Sequence, residues 1–217
     1  MIESPRTILD DVREHRLLVM FVAAMIVGWS AYGFAINAKG AAAYLVMMVV
    51  LAAFVAFVHH RVGFSGSLLW ALTVWGFLHM AGGLVPAGGA AHVLYNADWG
   101  VPVLRYDRLI HAFGFGAATV ACWQALRLRL AVGTRMTAGL TLLVALMGMG
   151  VGAVNEVVEF AASQLANTNV GGYVNTGWDL VFNTLGCTLA SGWIARRERV
   201  SAVRGTQAWR SETYRES

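Results

Sequence analysis

Arg105-Tyr106-Asp107-Arg108-Leu109-Ile110-His111-Ala112-Phe113-Gly114-Phe115-Gly116 opens an apolar run that continues to Leu130. Such a run predicts a helix over 108–130, long enough for the ~20 residues that cross ~30 Å of hydrocarbon. Asp107 and His111 stand four residues apart, so they share one face of that helix. An ionisable side chain inside hydrocarbon costs roughly 2.5–3.5 kcal/mol even on lenient insertion scales, and it persists where it faces the bundle interior, pairs or works. One stretch therefore implies both a membrane helix and a polar face turned away from lipid.

The rest of the chain agrees with a membrane solvent. Hydrophobic residues make up 58% and charged residues 13%, and the mean hydropathy is +0.59, far from the balance of a water-soluble domain. Apolar stretches near 17–37, 41–59, 67–85, 108–130, 137–162 and 177–195 predict an all-α, polytopic helical bundle with six transmembrane helices. The runs are continuous and lack the ~10-residue alternation of an outer-membrane strand. Residues 1–195 read as a single domain, with 1–16 as a short interfacial segment and 196–217 as a polar, basic tail without a fold of its own. Leu17–Ile36 is too long for the apolar core of a cleaved signal peptide. Cys122 and Cys187 fall inside predicted spans, where they behave as small apolar residues.

Charge sets the orientation. With six spans, 13 of the 16 Lys and Arg residues lie on one side, leaving Lys39, Arg105 and Arg108 opposite. The positive-inside rule then places both termini in the cytoplasm. The same distribution explains the net charge of +4 without invoking nucleic acid.

Polar residues recur at the outer ends of four predicted helices. Helix 3 carries His79 beside Ala81, Gly82 and Gly83, helix 4 carries Asp107 and His111, helix 5 carries Glu156 and Glu159 on a stripe with Gly148 and Gly152, and helix 6 carries Asp179 and Asn183. At ~1.5 Å per residue these groups occupy a layer within about 12 Å of the outer boundary. The loop 86–106, with His92, Tyr95, Asp98 and Trp99, is aromatic and glycine-rich and reads as a lid or as a passive interfacial loop. The first two spans look like wall. His59-His60-Arg61, with no acid or cysteine beside it in sequence, reads as an interfacial polar cluster.

Imidazole and carboxylate in a low-dielectric layer fit a divalent cation such as Zn²⁺, Mn²⁺ or Fe²⁺, with His79, His111, Glu156 and Asp179 as ligands, or a proton-sharing network, or pairing with Arg105 and Arg108; four carboxylates against two arginines favour the first two. Each residue also has a plainer role: Asp107 as a helix cap, Asp179 as a complement to a helix dipole, His79 as an interhelical hydrogen bonder.

Tyr106-Asp107-Arg108-Leu109-Ile110-His111, Asn155-Glu156-Val157-Val158-Glu159 and Asp179-Leu180-Val181-Phe182-Asn183-Thr184-Leu185-Gly186 together resemble the VanZ-like family of bacterial membrane proteins and a related YjdF-type inner-membrane family. The resemblance spans about residues 75–192, with Arg108 standing where the VanZ-like pattern has Lys and Glu159 where it has Gln. It implies a multi-pass protein of the bacterial cytoplasmic membrane connected with the cell envelope.

These readings combine into an outward-facing site that binds or processes a membrane lipid or a lipid-linked envelope precursor. As an enzyme it would be a metal- or acid/base-dependent hydrolase or transferase. His111, Glu156, Glu159, Asp107 and Asp179 would be the catalytic set, and Arg105, Arg108, Asn183 and His92 would bind substrate, the arginines through phosphate. A small ion- or proton-coupled transporter and a non-catalytic membrane scaffold are the rival classes.

Overall fold

A computed structural model describes residues 7–38, 40–88, 92–97, 100, 101, 103–165 and 172–213, without the side chains of 92, 165 and 201–213. Among the described residues seven α-helices dominate: α1 (Ile8–Glu14), α2 (Arg16–Ala35), α3 (Ala41–Val62), α4 (Gly66–Leu84), α5 (Tyr106–Arg127), α6 (Ala138–Leu165) and α7 (Tyr173–Thr213). Between α4 and α5 lie a two-residue antiparallel pair, β1 (Pro86–Ala87) with β2 (His92–Val93), and one 3₁₀ turn at Leu94–Asn96.

Local chemistry sets the helix ends. Thr7 caps α1 by a reciprocal box in which its hydroxyl accepts from the Asp10 N–H and the Asp10 carboxylate accepts from the Thr7 N–H. Gly63 ends α3 at φ +71, a left-handed conformation open to glycine at little cost, and its N–H donates to the His59 carbonyl.

Among the described residues, five helices, α2 to α6, are long and apolar enough to cross a membrane. The sixth expected span falls in α7, whose apolar run is interrupted by Asn175, Asp179 and Asn183 and followed by Arg196 and Arg197. This helix begins four residues before the expected 177 and runs past 195 to Thr213, so the polar extension expected to lack a fold starts inside it. The Trp123 indole N–H ties that continuation to α5 by donating to Glu198 at 3.1 Å, and within α7 the Arg197 guanidinium lies 5.3 Å from the Trp193 ring centroid one turn before it.

Helix α5 is the hub. It packs on α4, α6 and α7, while α6 and α7 also pack on each other. Trp123, Val144 and Ile194 form the core of that three-helix unit at one end. Phe64, Leu68, Leu69 and Ala117 join α4 to α5. Helices α2 and α3 have only 11% of their spanning windows buried, against 50% for α4, so most of their apolar surface faces outward as a lipid-facing wall would.

Candidate functional site

Three helices deliver the acids and the imidazole to one place. The first turn of α5 carries Asp107, where a carboxylate complements the helix dipole, and one turn on His111 Nε2 lies 3.5 Å from its Oδ1. From α6, Glu156 brings Oε1 to 3.4 Å from His111 Nδ1. From α7, Asn183 joins the two: its Oδ1 lies 3.1 Å from His111 Nδ1, and its Nδ2 donates to Glu156 Oε1 at 3.3 Å. A single imidazole is thus flanked by acids on both nitrogens.

Around this centre the remaining carboxylates are held by amides. Asn175, one turn before Asp179, donates to Asp179 Oδ2 at 2.5 Å and faces Asp107 Oδ2 at 3.3 Å. Asn155 donates to Glu159 Oε1 at 2.8 Å. Exposure falls to 0% at Asp179, 1% at Asn183, 4% at His111 and Glu156, and 5% at Arg108. These are polar groups in the interior of the bundle, where each must find a partner or a task.

Two groups of three donors result, Asp107–His111–Asp179 and His111–Glu156–Glu159, each with its ligand atoms within 4.8 Å of one another. Nitrogen and carboxylate oxygen at such spacing suit a divalent first-row ion. Glu156 Oε2 and Asp179 Oδ1 are buried with no hydrogen-bond partner among the described residues. Four carboxylates meet one deeply buried cation, Arg108, whose guanidinium lies 4.6 Å from the Trp178 ring centroid. Arg108, stacked on Trp178, thus brings a positive charge into the same interior. Arg105 is half-buried at the N-cap of α5.

His79 is not in either donor group. Its ring sits in an aromatic box, 5.4 Å from Tyr95, 6.0 Å from Trp75 and 6.2 Å from Tyr44 by centroid. Trp75 stands between it and the acids, 5.9 Å from Phe115, which in turn lies 5.7 Å from His111. Helix α4 therefore presents His79 to the α3 side, while its face toward α5 is filled by indole. The backbone of His92 pairs with Ala87; its side chain lies outside the described residues, as do Asp98 and Trp99. In the loop before α5, Tyr95 is buried against His79 and Tyr106, and burial holds its hydroxyl well above the usual tyrosine range.

Asn175 is the site residue that the sequence reading missed. It lies on the stripe of Asp179 and Asn183, and a helix expected to begin at 177 left it in a loop. A second polar cluster has an acid that no neighbour in sequence supplies: Asp11 of α1 places Oδ2 2.6 Å from His60 Nδ1 and Oδ1 4.0 Å from His59 Nε2.

Among known proteins, a family model described as a predicted membrane protein, DUF2238, matches residues 15–199. No curated protein and no solved structure matches.

Proposed function

The chain belongs to the DUF2238 family of predicted membrane proteins, and on that premise we propose that its buried acid/histidine centre binds one divalent cation and acts on a lipid or lipid-linked envelope molecule at headgroup depth. The observation that carries the reading is the pair of three-donor groups that share His111. In the proposed topology α7 is the sixth crossing, both termini are cytoplasmic, and the centre opens to the outside of a bacterial cytoplasmic membrane. The VanZ-like resemblance of the three motifs points to the same compartment and to envelope chemistry.

In this reading Asp107, His111 and Asp179 would supply the ligands, Glu156 would hold the proton on the other imidazole nitrogen, and Asn175 and Asn183 would orient them as outer partners do in metal sites. A cation there would polarise a phosphoryl or carbonyl oxygen. Glu159, held by Asn155 at the edge of the cluster, would accept the proton of the attacking hydroxyl. Zn²⁺, Mn²⁺ and Fe²⁺ are the candidate ions.

The test is elemental analysis of the purified chain followed by calorimetric titration with Zn²⁺ and Mn²⁺. One ion per chain is expected, with affinity lowered at least tenfold in His111→Ala, Glu156→Gln and Asp179→Asn. Absence of binding in the unaltered protein, or equal binding in all three variants, overturns the proposal.

A further inference from the structure

On the opposite side of Trp75 from the acid centre, a cavity of about 470 Å³ lies between α2, α3 and α4, with α1 across one end. Its volume is in the range of small-molecule sites. Met25, Met48, Leu69 and Gly76 at the back of its wall are buried within the helix packing, while Val19, Ala23, Ala53 and Ala56 at its rim are exposed, so it is a half-open cleft that reaches from the lipid-facing surface into the bundle. Thr73, in the middle of the wall, has its hydroxyl committed to the Leu69 carbonyl at 2.9 Å.

The chemistry of that wall selects its guest. A water molecule needs two to four polar partners, which alkyl groups do not offer. An apolar cleft of this size is costly to leave unfilled, and methionine side chains adapt their shape to an apolar guest. The lining runs along α4 from Leu69 to His79 and along α3 from Met48 to His59, roughly 15 Å of helix at ~1.5 Å per residue. That is about half the ~30 Å hydrocarbon thickness, the depth of one leaflet.

Both ends are polar. At one, Trp75 and His79 form the wall that separates the cavity from Phe115 and His111. At the other, Asp11, His15 and His59 line the cavity, and Asp11, through its 2.6 Å contact with His60, fastens α1 over that end. Ile8 and Val12 of α1 turn their apolar side chains to the same space.

We propose that this cavity binds a single hydrocarbon chain of a membrane lipid, with α1 as its fastened end. The proposal does not depend on a cation at His111, and the two can fail separately. The experiment uses the full chain, purified and incubated in turn with palmitate, a diacyl phosphatidylethanolamine and a polyprenyl phosphate, and reads the retained molecule by native mass spectrometry. The unaltered protein is expected to retain one chain-bearing molecule from at least one arm, and the arm identifies the source of the chain. Ala52→Phe and Ala56→Phe, which fill the cavity from α3, are expected to lower retention at least tenfold while leaving the Zn²⁺ titration unchanged.

Retention of none of the three molecules, or equal retention by the filled variants, overturns the proposal. Should the filled variants fail to fold, dibrominated palmitate decides: saturable one-site quenching that disappears in Trp75→Phe supports the chain site, and quenching without saturation or unchanged in Trp75→Phe overturns it.

Discussion

At Gly186 a methyl group would run into the carbonyl of Ala112 on α5, because the two backbones touch there. Nothing soft is available to move. Gly186→Ala is expected to lower stability by about 1–3 kcal/mol, the usual cost of overpacking, seen as a lower melting temperature in detergent. Gly150→Ala, with nothing within 4 Å of the added carbon, is the matched control and is expected to be neutral or to stabilise by up to about 1 kcal/mol. Equal melting temperatures for the two variants would contradict the close crossing. Residues of this kind were partly legible in the sequence. Asp107, His111, Glu156, Asp179 and Asn183 announce themselves through helical spacing and through the cost of polarity in an apolar run. The contact of Asp11 with His60 does not, because 49 residues separate them and no local periodicity reports a tertiary contact. His79 misled for a related reason: spacing tells which residues share a face, but only packing tells which neighbour that face meets.

Among the elements, α1 depends most on a single local device. Its cap joins Thr7 to Asp10, and the hydrogen bonds from Thr7 hold the Asp10 carboxyl below its ordinary value of 3.8. A lowered pKa means that the folded helix favours the ionised form, so the contribution is present above 3.8 and is lost as pH falls through the lowered value. A nitroxide attached at Leu9→Cys is therefore expected to be immobile at neutral pH and to gain mobility as pH falls below 3.8. With Thr7→Ala added, it should be mobile at both. No change with either pH or Thr7→Ala would show that the cap does not hold the helix. Helix α7 carries the opposite lesson. Its polar stripe builds half of the candidate site, and the same residues depress its hydropathy, so the feature that marks its function obscures its span and its start.

For the molecule as a whole, the helical class and the membrane setting were readable from composition, whereas the side of each loop rests on charge alone. Topology is open to direct test in a chain whose Cys122 and Cys187 are both replaced by Ala. A membrane-impermeant maleimide applied to intact cells is expected to label Val101→Cys, in the connection before α5, and to spare Thr134→Cys, between α5 and α6. The reverse pattern would invert the protein and turn the acid centre to the cytoplasm. Wherever it faces, that centre has only one histidine for its two sets of donors. A neutral imidazole offers one lone pair to a cation at a time. Loading at one triad thus withdraws the nitrogen from the other, and the isotherm should saturate at a stoichiometry of one, with competing metals displacing each other instead of adding.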